Sequence, residues 1–261
     1  MSQQTAPTAP DRVIVVGAAN SVGREIAARF SSSGARVHAC DIDENGLAEL
    51  TRFNSKVTTH RMNALDPLDV EAVLRRALND LGGIDVLVNT VGLPGPRAPL
   101  EEVSYSDWED AIRGSAGAAF FSIKQVIPYM KQQRSGCIIT FSSCSTKTGL
   151  PHRTPYVVAK FAVEGLTKNL ARELGPFNIR VNAVLPGPID NRRLASVVAA
   201  AAAANGITAV EYEASLLRYI SMRQKVSIEE VACAVLFLAS PAAPHITGQL
   251  LSVDGNAEWE E

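Results

Sequence analysis

Cysteine and histidine are scarce in this chain, four of each, and neither is grouped. Cys40, Cys137, Cys144 and Cys233 contain no Cys-x-x-Cys pair, and the histidines show no ligand spacing. That leaves no disulfide framework and no zinc motif to read, and no metal is expected. Charge of one sign is lacking too: 25 Lys and Arg stand against 27 Asp and Glu, a net charge of −2 without a basic block, which removes the usual reason to expect nucleic acid. The apolar run Val197–Ala204 is far too short to cross a bilayer. Met1 to Pro10 is polar and proline-containing, without the apolar core of a secretory signal. The expectation is a soluble, cytoplasmic protein with a loose tail over residues 1–10 and a single domain over 11–261.

What is present is apolar material in abundance. A chain of 261 residues with 46% hydrophobic content buries a large core and suits one large α/β domain. Short β-rich runs alternate with helical periods, as a parallel sheet with crossover helices requires. Strands are predicted at Arg12–Val16, Ala35–Cys40, Lys56–Arg61, Ile84–Asn89, Cys137–Phe141, Arg180–Leu185 and Leu250–Val253. Val22, Ile26 and Phe30 recur at spacing four on a helix that stops at Gly34. Asp66-Pro67 opens another, with Val70, Val73, Leu74, Ala77, Leu78 and Leu81 as its apolar stripe. Ser106 to Glu109 and Ser227 to Glu230 read as capping boxes. Seven strands with helices on both faces make a doubly wound fold.

One segment breaks the alternation, residues 188–226, which carry the alanine run. In doubly wound folds the ligand lies beyond the carboxyl ends of the strands, so an insertion there reads as a substrate lid, or else as a helical insertion used in subunit packing.

Tyr156 and Lys160 stand four apart, and Ser143 precedes the tyrosine by thirteen positions. On a helix, spacing four puts phenol and ammonium on one face, a turn apart. A free phenol titrates near ~10, so acid–base work near pH 7 needs about three units of depression, roughly 4 kcal/mol of phenolate stabilisation, much of which an adjacent cation in a desolvated cleft supplies. Near the N-terminus lies a glycine turn, Gly17-Ala18-Ala19-Asn20-Ser21-Val22-Gly23. Cys144 next to Ser143 invites a nucleophile reading but has no sequence-local base, so it reads as a buried neutral thiol.

These blocks, with Asp41, Asn89-Thr90-Val91-Gly92, Pro186-Gly187-Pro188-Ile189, Thr247-Gly248-Gln249 and Val253-Asp254-Gly255, resemble in order and spacing the short-chain dehydrogenase/reductase family, from about Arg12 to Gly255. The resemblance implies a single doubly wound Rossmann-like α/β domain with a seven-stranded parallel sheet and helices on both faces. It implies an oxidoreductase in which Tyr156 carries the proton, Lys160 favours the phenolate and holds the nicotinamide ribose, and Ser143 rather than Ser142 hydrogen-bonds the substrate oxygen. The fourth member of the family's tetrad, normally asparagine, falls on Ser115, flanked by Gly114 and Gly117, which points to a kink or close packing there. A homotetramer is implied, with the helices around Trp108–Met130 and Pro155–Leu174 between subunits.

For the cofactor, Gly17 allows a tight turn and Gly23 lets the next helix start close to the sheet, so that N–H groups around Asn20, Ser21 and Val22 face a pyrophosphate. Ser21 replaces the family's usual middle glycine. Asp41 ends the second strand, where its carboxylate accepts from the adenosine ribose and repels a 2′-phosphate. Neither Asn20 nor Ile42 supplies the cation that an NADP enzyme would place there, and NAD is the expected cofactor. Asn63 and Ala64 fall against the adenine, Asn89, Val91 and Gly92 at the end of the fourth strand, and Pro186, Gly187, Ile189 and Asn191 beside the nicotinamide. Arg97, Arg153 and Arg192, the last followed by Arg193, sit in loops expected to converge over that ring, which suits an anionic substrate unless they point to solvent or pair with Glu101, Glu102 and Asp190. The leading reading is an NAD-dependent dehydrogenase interconverting a secondary alcohol and its ketone. The alternatives are a catalytically weak dinucleotide-binding sensor or partner protein and a reductive 3-oxoacyl-type ketoreductase.

Overall fold

A computed structural model of the chain describes residues 10–54 and 56–258; the tail at residues 1–9 lies outside them. Alternation of strand and helix gives β1 (Arg12–Val16), α1 (Ser21–Ser32), β2 (Arg36–Asp41), α2 (Glu44–Phe53), β3 (Val57–Arg61), α3 (Pro67–Leu81) and β4 (Val86–Asn89) in the first half. The second half has α4 (Tyr105–Ile112), α5 (Ala118–Gln133), β5 (Gly136–Phe141), α6 (Ser145–Thr148), α7 (Thr154–Leu174), β6 (Ile179–Pro186), α8 (Arg192–Asn205), α9 (Ala209–Leu217), α10 (Ile228–Ala239) and β7 (Leu250–Val253). All seven strands pair in parallel in the order β3-β2-β1-β4-β5-β6-β7. Each predicted strand is present with ends shifted by two residues or fewer.

A strand points successive side chains to opposite faces, and strands buried on both faces read as continuous apolar runs. Val13 and Val15 therefore join one core with Ile26, Phe30, Leu47, Leu50, Val231 and Val235 from α1, α2 and α10. Ile14 and Val16 join the other with residues of α3, α5 and α7. The stripe on α3 is buried at all six predicted positions, and Asp66 caps the helix by accepting from Leu68 N at 3.0 Å. Gly34, at φ +100°, follows α1 as expected.

The capping box at Ser227 and Glu230 forms reciprocally. The one expected at Ser106 does not: α4 starts two residues earlier, capped by Ser104, whose Oγ accepts from Asp107 N at 3.0 Å. Ser104 and Asp107 have the same three-residue spacing, and the helical dihedrals of Tyr105 place the cap before it. Between α4 and α5 the ladder widens into a π-turn, Arg113–Gly117. Gly114 permits this close packing, since a Cβ there would stand 2.5 Å from the Leu93 side chain.

Residues 188–226 leave and return at one point. Ile189 bridges Val226, with Asp190 N bonded to Val226 O and Val226 N to Pro188 O, both at 2.9 Å. Lys225 pins this base to Asp190 at 2.9 Å and to Glu213 of α9 at 3.1 Å. The alanine run forms α8, and Thr208 and Glu211 start α9 with a further capping box.

Candidate active site

The carboxyl ends of the parallel strands frame a cavity of about 1150 Å³. At one end the chain turns at Gly17 (φ +84°) and enters α1. Glycine is required twice here: a Cβ on Gly17 would lie 2.5 Å from Thr90 Oγ1, and one on Gly23 would lie 2.0 Å from the Gly17 carbonyl oxygen. Ser21 opens α1 at φ +49°, the left-handed region that glycine occupies without cost. Asn20 makes no side-chain cap on α1, so among the described residues the first-turn N–H groups of Ser21, Val22 and Gly23, which line the cavity, have no side-chain acceptor. A dipole-positive helix start without a cap is fit for a pyrophosphate.

Further along the same wall stand Asp41, Ile42, Asn63 and Ala64. Asp41 is held rigidly: Ala19 N donates to Oδ2 at 2.9 Å and Asp43 N to Oδ1 at 3.0 Å, leaving each oxygen a further lone pair. Two more carboxylates, Asp43 and Glu49, line this end. Helix-start N–H groups hold the Asp43 carboxyl below its ordinary range, the Gly46 N–H foremost, then the Asn20 amide. Arg24 also lines the wall, but its donors go to the Ala19 carbonyl at 2.7 Å, the Gly46 carbonyl at 3.3 Å and Glu49 at 2.9 Å. Asp43, Glu49 and Arg24 were not among the residues picked out by sequence. A basic side chain in the first turn after the glycine motif was the available signal for Arg24, and only the fold shows that its charge is engaged.

At the other end the walls are Val91, Leu93, Phe141, Ile189, Asn191, Arg192 and Arg193. Asn89 does not line the cavity. It is buried, its Nδ2 donates to Ala118 O at 3.0 Å and Ser122 Oγ at 3.1 Å, and its Oδ1 accepts from Val91 N, so it shapes the loop from within. Gly187 packs on the chain after β7, where a Cβ would meet Asp254 Cα at 2.8 Å, and Pro186 O accepts from Cys144 N at 3.0 Å.

Beyond this end α7 carries Tyr156 and Lys160 one turn apart, as the spacing predicts. Lys160 is buried, its Nζ donating to Phe141 O at 2.9 Å and standing 5.7 Å from the centre of the Tyr156 ring. Burial, and then Arg193, push the ammonium down to about 8. A Cβ on Gly92 would lie 2.6 Å from that Nζ and 3.6 Å from Ser115 Oγ, which brings the strand-4 loop, the π-turn and α7 to one point. Ser115 is fully buried, and its Oγ has no hydrogen-bond partner there. Ser142 and Ser143 separate cleanly. Ser142 is buried and donates to Glu164 Oε1 at 2.6 Å, whereas Ser143 is partly exposed and its Oγ accepts from Ser145 N at 3.2 Å. Burial raises the Cys144 thiol to about 11, in keeping with a neutral cysteine.

The arginines divide. Arg153 lies 5.4 Å from the Tyr156 ring centre, and one of its terminal nitrogens donates to Pro94 O at 2.6 Å, while its Nε is buried without a partner. Burial lowers the Arg153 guanidinium, with Arg193 and Arg97 adding repulsion. Arg97 reaches Tyr212 Oη of α9 at 3.4 Å. Arg192 and Arg193 both line the cavity, and Arg193, which the sequence reading left as the neighbour of Arg192, is the α8 cation whose charge acts on Arg153 and Lys160. Asp190 pairs with Lys225 rather than with an arginine.

The family profile described as enoyl-(acyl carrier protein) reductase matches residues 17–256. The chain belongs to the short-chain dehydrogenase/reductase family. Within that family it is 34% identical over 246 residues to the 3-oxoacyl-(acyl-carrier-protein) reductase FabG of Thermotoga maritima, covering 93% of this chain and 95% of the relative. It is 30% identical over 251 residues to the 7alpha-hydroxysteroid dehydrogenase of Escherichia coli K12, covering 95% and 94%. Among solved structures it superposes at a TM-score of 0.88 on a variant of actinorhodin polyketide ketoreductase with NADPH, at 30% identity and covering 96% and 98% of the two chains. As a member of the short-chain dehydrogenase/reductase family the protein is an oxidoreductase of alcohol or ketone substrates that uses a nicotinamide dinucleotide.

Proposed function

We propose that the protein is an NAD-dependent dehydrogenase that interconverts a secondary alcohol and its ketone. The observation that carries the choice of NAD is the acidic adenosine end, where Asp41, Asp43 and Glu49 face one guanidinium already paired with Glu49. A 2′-phosphate placed there meets like charge and no free fork.

Gly17, Ser21 to Gly23, Asp41, Asn63 and Ala64 would hold the adenosine and pyrophosphate, and Val91, Ile189 and Asn191 the nicotinamide end. When bound, the nicotinamide supplies or receives the hydride. Tyr156 takes the proton of the alcohol at its Oη and returns it in reduction. Lys160 faces that ring from a buried position, where an ammonium stabilises a phenolate more strongly than in water. Ser143, the exposed member of the serine pair, donates to the substrate oxygen as charge builds on it. Ser115, orphaned beside Gly92 and Lys160, has room in its bonding for a water that links the ammonium onward. The segment 188–226 serves as the lid, its base clamped at Ile189 and Val226, and Phe120 and Phe161, about half exposed on α5 and α7, suit burial between subunits of a homotetramer.

The crowding of Arg97, Arg153 and Arg193 favours a substrate with an anionic group near its hydroxyl, since no ion pair of these three cations is formed among the described residues and the Arg153 Nε there has no partner. The relative named a 3-oxoacyl-(acyl-carrier-protein) reductase and the NADPH-bound ketoreductase favour reductive chemistry as the second reading. Thermal shift with NAD and NADP, followed by turnover of Tyr156→Phe at the nicotinamide absorbance band, separates the readings. The proposal expects a larger shift with NAD and a loss of turnover of 10²-fold or more with cofactor binding kept. A larger shift with NADP, or activity retained within about tenfold, overturns it.

A further inference from the structure

At the β3 edge of the sheet, two of the four histidines meet. β3 is the edge strand and pairs only with β2, in a register that sets His38 opposite Thr58 and Cys40 opposite His60. His38 and His60 are therefore two positions out of step, on the same face of adjacent strands, where diagonal neighbours touch. Their rings stack at 4.9 Å with Nδ1 of His38 2.8 Å from Nε2 of His60. Asp80, near the end of α3, lies over the pair, and the three side chains offer ligand atoms all within 4.8 Å of one another. His38 and Asp80 border a cavity of about 260 Å³ that opens between Arg36, Lys56 and Thr58, and His60 stands beside it against His38. Among the described residues no other group of His, Cys, Asp and Glu converges in this way.

Two ring nitrogens 2.8 Å apart cannot both carry a proton, so at least one lone pair faces the gap. The 2.8 Å contact is the span of a ring N–H···N hydrogen bond, so an ion displaces that proton and both rings turn to aim their lone pairs to one side, where metal–nitrogen bonds of about 2.0–2.1 Å close an angle of roughly 86° over the same span, near that between neighbouring ligands of a tetragonal or octahedral ion. Two imidazoles and a carboxylate are a nitrogen–oxygen donor set suited to late first-row divalent ions. The nearby cations are answered in part, since Arg36 is paired with Asp11 at 2.9 Å. His38 is buried, His60 half-buried and Asp80 exposed, which gives an ion an entry side and an inner wall.

We propose that His38, His60 and Asp80 bind one divalent late transition-metal ion, copper, nickel or zinc, which clamps the edge strand β3 to β2 and α3. The clamp sits just before Met62, Asn63 and Ala64, which continue from β3 into the wall of the cofactor cavity, so an ion there would steady the adenosine end.

Tag-free protein stripped with a chelator and titrated calorimetrically with nickel or zinc chloride should take up one ion per chain. Copper(II) added below one equivalent should give an electron paramagnetic resonance spectrum with two-nitrogen coupling. His60→Gln and Asp80→Asn should each weaken the affinity at least tenfold, while His245→Gln, at an exposed histidine away from the pair, should leave it unchanged. Asp80 is exposed, so Asp80→Asn keeps the test intact if His60→Gln folds poorly. No saturable one-to-one uptake by the wild-type protein, or an affinity unmoved by both substitutions, would mean that the histidines form only a hydrogen-bonded pair and would overturn the proposal.

Discussion

Asn191 Nδ2 donates to Ser21 Oγ at 3.0 Å, joining the cap of α8 to the first residue of α1. The two residues are 170 positions apart. Through this bond the segment 188–226 rests directly on the glycine turn. The same Asn191 accepts from Leu194 N at 2.9 Å, so a single amide caps α8 and holds it down.

Two substitutions break this bond, but at different net cost. Ser21→Gly relieves a left-handed residue, worth about 1–2 kcal/mol, against roughly 0.5–1 kcal/mol of added glycine entropy and about 1 kcal/mol for the lost bond, and should leave the melting temperature nearly unchanged. Asn191→Ala removes a helix cap worth about 0.5–2 kcal/mol and should lower it. Thermal melts of both variants without ligand check this, and equal shifts in one direction would contradict it.

At the adenosine end, Asp41→Ala should lower the preference for NAD over NADP, because it removes a ribose acceptor and one of three like charges facing a 2′-phosphate. Ile42→Arg, at an exposed rim position, should move the preference further. The ratio of kcat/KM for the two cofactors is the measurement, and a ratio unchanged by both substitutions would discard the assignment.

Lys160 makes stability depend on alkaline pH. Its ammonium is depressed to about 8 in the folded protein from 10.5, so between those values the unfolded chain binds more protons and folding stability rises with pH. Below about pH 8 the full cost of the buried charge is present. Lys160→Met, which abolishes the charge, should thus be more stable than the wild type at pH 7 by up to about 3 kcal/mol, less roughly 1 kcal/mol for the lost bond to Phe141 O. That advantage should shrink between pH 8 and 10.5. Denaturant unfolding across this range reads it directly, and a difference independent of pH would show the lysine to be uncharged or well solvated.

If the arginines receive an anionic substrate, Arg153→Ala should raise KM for acidic secondary alcohols by about tenfold or more while leaving neutral analogues nearly unchanged. Arg193→Ala should act in the same direction, and Arg192→Ala should instead weaken cofactor binding. A matched panel of acidic and neutral alcohols decides the matter, and equal effects on both classes would remove the anionic group.

Much of the molecule is local enough to be read from the chain. The α3 stripe, the cap at Asp66, the box at Ser227 and Glu230, and the strand-to-turn passage at Gly17 depend on residues within a turn or two of one another, so their spacing carries them. The Tyr156 and Lys160 pair is of the same kind, one face of one helix. The choice between Ser142 and Ser143 is half local: family spacing favours Ser143, and the structure adds that Glu164 of α7 takes the Ser142 hydroxyl while Ser143 stays partly exposed.

What only the tertiary structure decided are the places where charge or lone pairs meet across the sheet. Whether Arg24 is available to a phosphate depends on Glu49 in the next helix, and which arginine of α8 acts on Arg153 and Lys160 depends on how that helix lies over the cavity. The meeting of His38, His60 and Asp80 follows from the β2–β3 register and the seat of α3 against that face. The sequence by itself determined the alternation of elements, the buried stripes and the placing of Tyr156 and Lys160 on one helix face, because backbone periodicity and side-chain polarity act over a few residues. The partners of its polar atoms were decided by strand register and helix seating, because hydrogen bonds and charge pairs act through space and carry no mark in sequence distance.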